Sequence, residues 1–361
     1  MITVDLENLR KKIDEIDNQI LDLLNARAEV VKEIGRSKAK SSRAYYDPSR
    51  EEQILTRLQK MNKGPFPASS VRSVFREIIS ASLSLEKPMR VAYLGPEATF
   101  THIAALKKFG LSASLTPMSS LSRVFSAVER DQADYGVVPL ENSTEGVASH
   151  TLDLFIDSEL KTCTEIILNI RHDLLARHTE LEKIEKVYAH PQSIAQCSQW
   201  LRENMAGKAI IEVPSTFRAV ELVRNDETAA LIAEETIRGL YQLHTVCKRI
   251  EDNTHNFARF LVLWKGMSQP TGDDQTSILF SMKDQIGALS LLLQPFVHHQ
   301  INLRRIESRP IPNRPWESVF LVDFDGHVQD ERVVKLLDDL RVHCDFFKIL
   351  GSYPKSKLNA G

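Results

Sequence analysis

Between Leu6 and Ile34 the apolar residues fall on one narrow seam. Leu6, Leu9, Ile13, Ile16, Ile20 and Leu23, then Val30 and Ile34, follow alternating steps of three and four, with Arg27 occupying one register position. That spacing is the signature of a long helix with a thin apolar stripe. Ser41 and Ser42 interrupt the pattern, and Asp47 followed by Pro48 reads as an N-cap with a first-turn proline. A second helix then carries Ile54, Leu55, Leu58 and Met61 on its apolar face. Gly64-Pro65-Phe66-Pro67 breaks it, and a third helix places Val71, Val74, Phe75, Ile78, Ile79, Ser82 and Leu85 inward. Three helices, one of them very long, cannot bury this seam alone. The pattern therefore predicts an intertwined dimer or a higher homo-oligomer.

The helical block accounts for a small part of 361 residues, a length that suits two or three domains. Net charge is -2, which gives no attraction to nucleic acid or to an anionic membrane, and no apolar run reaches membrane-span length. The first ten residues are polar and amphipathic, without the core of a signal peptide. Cys163, Cys197, Cys247 and Cys344 have no paired spacing, which argues against a zinc site or disulfides and predicts free buried thiols. The expectation is a cytoplasmic protein without metal or cofactor.

After a linker at Lys87-Pro88-Met89-Arg90 the period changes. Val91–Leu94, Tyr135–Val138 and Lys186–Tyr188 read as buried strands; residues 101–109, 193–205 and 216–224 read as helices. This alternation argues for an α/β block ending near Trp264. Residues 266–275, rich in Gly, Pro, Ser and Asp, read as a second linker. The remainder runs strand (276–282), helix (287–298), strand (301–306), strand (318–324), helix (331–342), strand (346–350), an order that predicts a ferredoxin-like α+β domain.

Arg27 is the anomaly in the first seam, because a cation at an apolar register position is costly unless it meets an anion. Lys38 lies three turns further on, Arg10, Arg50 and Glu51 sit near helix starts, and Glu86 lies one turn beyond Ser82. Taken singly these charges read as solvated surface; Arg27, by its place in the seam, reads as functional.

Leu9-Arg10, Asn25-Ala26-Arg27, Gly35-Arg36-Ser37-Lys38, Asp47-Pro48-Ser49-Arg50-Glu51 and the Ser82 and Glu86 pair resemble the all-helical chorismate mutases across the whole block. The resemblance implies that Arg10, reaching a partner's site, and Arg27 hold the two carboxylates of chorismate. It implies that Glu51 and the backbone near Asp47 orient the ring hydroxyl, with Arg50 and Ser82 also in the site. Lys38 would bind the ether oxygen. The reaction is a pericyclic rearrangement that needs only a held conformer and positive charge at the ether oxygen, so Arg27, Lys38 and Glu86 would be its catalytic groups. A carboxylate beside that oxygen would repel developing charge, so Glu86 is expected to act protonated.

Gly95-Pro96-Glu97-Ala98-Thr99-Phe100-Thr101, Pro139-Leu140-Glu141-Asn142-Ser143-Thr144-Glu145-Gly146, His190-Pro191-Gln192 through Gln196-Cys197, and Ala258-Arg259-Phe260 resemble the ordered motifs of prephenate dehydratases. The family fold has two α/β lobes of periplasmic-binding-protein type with the site in the cleft between them. Thr101, Glu141, Asn142, Ser143, Thr144, Gln196, Ala258, Arg259 and Phe260 are the implied prephenate contacts. Three positions depart from the pattern. Ala98 replaces a usual Gly. Ala258 replaces the Thr of a Thr-Arg-Phe motif, which carries the proton-donor role. Ala189 stands where Ser usually precedes His-Pro-Gln. Two hydroxyls are thereby lost. His190 reads as shaping the turn before Pro191.

Gly287-Ala288-Leu289 and Glu307-Ser308-Arg309-Pro310 resemble the two phenylalanine-binding motifs of ACT domains. Glycine permits close backbone approach, and a helix start can receive a carboxylate. Together the resemblances imply a multidomain chain: an all-α mutase domain over 1–87, a two-lobed dehydratase domain over 91–265 and a ferredoxin-like ACT domain over 276–352. Its family would be the bacterial bifunctional chorismate mutase/prephenate dehydratases inhibited by phenylalanine. An alternative keeps the mutase and treats the middle block as a weak or inactive dehydratase retained as a regulatory binding module, with Ala258 and Ala189 as the discriminating residues.

Overall fold

The computed structural model describes residues 6–39, 48–85, 88–143, 146–147, 149–282, 286–311 and 314–356. Two compact units emerge: Met1–Met89 with Phe109–Ser114, and Arg90–Lys108 with Leu115–Gly361.

The first unit is helical. Helix α1 (Leu6–Ala39) has 34 residues, against 14 for α2 (Pro48–Met61) and 17 for α3 (Ala68–Ser84). Leu55, Val71 and Ile79 form a small buried core, and Arg72 grips Glu52 with two hydrogen bonds of 2.6 and 2.9 Å. The seam of α1 is not buried in the single chain. Leu6, Ile13, Ile16, Leu23 and Val30 are all exposed, Leu23 by 71%. A 34-residue helix extends about 51 Å at ~1.5 Å per residue, so the shorter α2 and α3 match only part of its length.

The second unit contains three sheets. The first is built from β1 (Arg90–Leu94), β2 (Ser114–Met118), β3 (Tyr135–Asn142), β4 (Gly146–Val147), β5 (Lys161–Asn169) and β11 (Phe257–Trp264), in the order β2-β1-β3-β11-β5 with β4 on β3. Helices α4 (Phe100–Phe109), α5 (Leu121–Glu129) and α6 (Ser149–Asp157) lie between its strands in sequence. The second comprises β6 (Asp173–Ala176), β7 (Lys186–Ala189), β8 (Ala209–Glu212), β9 (Ala229–Ala233) and β10 (His244–Cys247), in the order β10-β6-β9-β7-β8. Its helices are α7 (Pro191–Gln196), α8 (Ser198–Asn204), α9 (Thr216–Arg224) and α10 (Glu235–Tyr241). The chain enters the second lobe after β5 and returns to the first with β11, which lies antiparallel between β3 and β5.

The third sheet holds β12 (Asp274–Ser281), β13 (Leu303–Ile311), β14 (Arg314–Asp325) and β15 (Phe346–Pro354), ordered β13-β14-β12-β15, with α11 (Ala288–His298) and α12 (Glu331–Val342). Its two faces have different partners. Ile278, Phe280, Val322 and Phe324 pack with Leu292, Phe296 and Leu336 of its own helices. Leu279, Leu321 and Leu350 instead join the core of the first lobe with Phe155 and Leu261. This period-two alternation makes the sheet part of the same compact unit. At Gly351 the approach is so close that an added Cβ would lie 2.1 Å from the Thr162 carbonyl oxygen.

Two expectations need correction. Residues 193–205 are not one helix, because Cys197 interrupts it and the Asp252 carboxylate caps α8 by accepting from the Gln199 and Trp200 N–H groups at 3.0 and 3.3 Å. Residues 266–275 are not a loose linker either. Ser268 donates to the Cys163 carbonyl at 2.8 Å, and Asp274 accepts from Thr271 and Gly272 while opening β12. All four cysteines are free, but only Cys163 and Cys197 are buried. Among the described residues no helix is long and apolar enough to cross a membrane.

Candidate active sites

In the first unit Arg27 and Ser82 meet. The Arg27 guanidinium donates to the Ser82 hydroxyl and, at 3.5 Å, to the Ile78 carbonyl; Ser82 donates to the same carbonyl at 2.6 Å. Burial draws the Arg27 pKa below its ordinary value. Glu51 is buried at the start of α2, while Arg50 beside it is exposed. Arg10 is exposed and lies about 25 Å along α1 from Arg27, so the two cannot grip one small molecule within a single chain. Lys38 lies on α1, but its side chain is outside the described set, as are Asp47 and Glu86.

In the second unit a cleft of about 450 Å³ opens between the two lobes. The first lobe contributes Pro96, Thr99, Phe100, Thr101, Pro139, Glu141, Asn142, Ala258 and Phe260. The second contributes His190, Gln192, Ser193, Pro214, Ser215 and Thr216. The first wall is built by a turn before α4. There Ala98 adopts φ 62°, the left-handed region, and its N–H donates to His102 Nδ1 at 3.1 Å. That bond leaves the imidazole proton on Nε2, and burial draws the His102 pKa down. Ala98 thus keeps the backbone shape that the usual Gly would adopt without strain. Opposite, His190 caps α7 by accepting from the Gln192 N–H at 3.3 Å, and Ser215 caps α9 through the Arg218 N–H. Polar contacts also join the lobes. Lys107 pairs with Glu234 at 2.7 Å, and Tyr241 donates to Glu97 at 3.1 Å, its own pKa pushed up to about 12 by burial and by that carboxylate.

Of the residues expected around prephenate, Thr101, Glu141, Asn142, Ala258 and Phe260 come together on this cleft. Ser143 is used differently. It donates to Asn256 Oδ1 at 2.8 Å and accepts from the Phe257 N–H at 3.0 Å, fastening β3 to the start of β11. Gln196 lines an adjoining hollow with Asp252, Asn253 and Asn256, and its Oε1 accepts from His172 Nε2 at 2.8 Å. Thr144 lies outside the described residues.

Arg259 requires a correction. Strand alternation sends Ala258 and Phe260 to the cleft and Arg259 to the other side. There its guanidinium donates to Glu165 and Asp323, each at 2.6 Å, and to the Tyr353 hydroxyl at 3.3 Å. Burial by itself would disfavour the cation, but Asp323, Tyr353 and Glu165 outweigh it and hold Arg259 protonated. It ties the third sheet to the first lobe and does not line the cleft. Ala189 is fully buried at the end of β7 and is not on the cleft wall.

The two expected effector segments lie on the third sheet's domain. Gly287 precedes α11 at φ 81°, and an added Cβ there would meet nothing within 4 Å. The glycine suits the left-handed backbone at this helix start. Ala288 opens α11, with Leu289 exposed after it. Along the edge strand β13, Arg305, Glu307 and Arg309 are half-buried, whereas Ile306, Ser308 and Pro310 are exposed. Arg309 pairs with Asp153 of α6 at 2.8 Å, and the Arg305 guanidinium bonds Glu141.

Sequence reasoning missed Arg305, Ser193, Ser215 and Thr216. The Ser-Thr pair before an apolar-periodic stretch marks a helix start. Nothing local in the sequence places that start on the cleft.

Family models match in order: chorismate mutase type II over residues 9–87, prephenate dehydratase over 91–268 and ACT domain over 276–342. The chain is 48% identical over 358 residues to a bifunctional chorismate mutase/prephenate dehydratase of Aquifex aeolicus, covering 98% of this chain and 99% of that protein. It is 41% identical to the protein of the same description from Stutzerimonas stutzeri, covering 98% of each. Among solved structures it is similar to the prephenate dehydratase of Arthrobacter aurescens in complex with L-Phe. There the TM-score is 0.66 at 30% identity, over 73% of this chain and 90% of that one.

Proposed function

Because this chain belongs to the family of bifunctional chorismate mutase/prephenate dehydratases, we propose that it converts chorismate to prephenate and prephenate to phenylpyruvate, under inhibition by phenylalanine. The observation that carries this reading is the 48% identity to a bifunctional relative over 98% of the chain, spanning all three blocks in order. The proposed domains are 1–87, 91–265 and 276–352, and the proposed compartment is the cytoplasm.

The mutase site is assigned to Arg27, Lys38, Arg50, Glu51, Ser82 and Glu86 with backbone near Asp47, completed by Arg10 of a second copy. The exposed seam of α1 supports that dimer, since it needs an apolar partner and Arg10 is too far from Arg27 to serve the same chain. Fixed cations would hold the two carboxylates and stabilise negative charge developing on the ether oxygen.

The dehydratase site is assigned to the interlobe cleft. As the ring carboxylate leaves as carbon dioxide, its bonding pair enters the ring and expels the ring hydroxyl, which leaves as water after taking a proton. Thr101 supplies a hydroxyl on the cleft wall, and Asn142 and Gln192 supply amides for substrate oxygens. Ala258 on the same wall favours a second reading, in which this activity is weak. Incubation of the purified protein with chorismate and, separately, with prephenate tests both. Phenylpyruvate from each substrate supports two activities, while prephenate left unconverted leaves only the mutase.

A further inference from the structure

The Arg305 guanidinium is shared between two carboxylates. Nη1 donates to Glu141, and Nη2 donates to Glu307 Oε1 at 3.2 Å. Glu141 lines the cleft beside Asn142, whereas Glu307 belongs to the effector segment of β13. Arg305 is only 15% exposed and Glu141 19%, so water screens their attraction poorly. A second tie lies further along the strand. Arg309 donates to Asp153 of α6 at 2.9 Å, and Thr151 of that helix donates to the carbonyl of Pro139, another cleft residue, at 2.7 Å. Strand alternation aligns residues 305, 307 and 309 on one face, so a displacement of β13 reaches the cleft wall at both points.

We propose that Arg305 is a positioning residue for the dehydratase cleft and the contact through which the sensor domain acts on it. This rests on the reading that the cleft takes prephenate and the sensor takes phenylalanine. Arg305 neutralises Glu141 and fixes its carboxylate to the wall. Prephenate carries two carboxylates, so a freed Glu141 anion repels it. A ligand at β13 that draws on Glu307 changes how firmly Arg305 holds Glu141. Arginine suits this task because its planar fork serves two carboxylates at once, where lysine offers one point charge.

The test uses full-length parent, Arg305→Gln and Arg305→Lys. Prephenate kcat and KM are measured with and without phenylalanine, and the urea midpoint of the second unit reports folding. Phenylalanine binding is followed separately by thermal stabilisation. Arg305→Gln is expected to raise KM by about tenfold, keep kcat within about twofold, and weaken inhibition by about tenfold while phenylalanine still binds. Arg305→Lys is expected to recover KM without recovering inhibition. Parental KM and parental inhibition in Arg305→Gln overturn the proposal alone. Should that variant fail to fold, Arg305→Lys decides: weakened inhibition with phenylalanine still bound supports the proposal, and parental inhibition overturns it. A parent that neither converts prephenate nor responds to phenylalanine removes the underlying reading and the proposal together.

Discussion

Ala258 stands directly opposite Asn142 where β11 pairs with β3, and both line the interlobe cleft. A threonine at this position would fit a strand and place a hydroxyl beside the Asn142 amide. Ala258→Thr is expected to raise phenylpyruvate formation from prephenate by at least about tenfold, a fraction of the 10²–10⁴ that general acid–base catalysis typically supplies. The mutase rate should stay unchanged. Ala189→Ser, buried off the cleft wall, should add nothing. Steady-state rates on each substrate check both statements, and no gain from Ala258→Thr would show that this hydroxyl is dispensable.

Arg27→Ala and Arg10→Ala should each lower mutase activity by more than about a hundredfold, since each removes a fixed charge from the transition-state site. Mixing the two inactive variants under conditions that exchange subunits should restore about a quarter of the parental activity. Only hybrid dimers regain a complete site, and each regains one. Activity that stays at background after verified exchange would argue that both arginines serve the same chain.

Ala98 holds a left-handed φ of 62° that costs an L-residue about 1–2 kcal/mol. Ala98→Gly is therefore expected to stabilise the second unit by up to about 1 kcal/mol, after allowing for the greater freedom of glycine in the unfolded chain. Urea denaturation measures the difference, and a destabilised variant would contradict the argument.

The junction between β15 and the first lobe should be brittle. Gly351→Ala forces a Cβ against the Thr162 carbonyl, with rigid backbone on both sides. Arg259→Ala leaves Glu165 and Asp323 buried without their cation, a loss of about 3–5 kcal/mol. Urea midpoints for both variants should fall well below the parent. A near-parental midpoint for Arg259→Ala would mean that water reaches the pair.

His172 is buried, and burial draws its pKa below the ordinary 6.5. The unfolded chain takes up the proton first, so the stability tied to neutral His172 is complete above that value and declines as pH falls. His172→Gln, which can still donate to Gln196, should lose less stability between pH 7 and pH 5 than the parent does. Equal losses in the two proteins would show that His172 is not what responds.

The helices of the first unit and the element order of the third sheet's domain were legible because each rests on local periodicity. The long apolar seam of α1 was legible in the same way, and it lies exposed in the single chain. Residues 266–275 misled because glycine, proline and serine describe a chain's freedom only before tertiary bonds such as Ser268 to Cys163 take it away. Arg259 misled for a related reason. A motif records which residues recur, but the side of the strand each one faces depends on register, and register is set by β3 and β5, roughly a hundred residues upstream. Arg305 had no local signal, since both its position and its partner Glu141 depend on how two sheets stack.

The late arrival of β11 has a consequence for synthesis. All five strands of the second sheet have left the ribosome once Cys247 has emerged, so that lobe can pair completely on its own. The first sheet cannot. Until Phe257–Trp264 follows, β3 and β5 each present a bare edge where β11 belongs, and the nascent chain carries a gap in its earlier-made half. Such edges can template pairing with neighbouring chains. A pause while the chain has emerged only as far as residues 170–256 thus prolongs the exposure of those two edges.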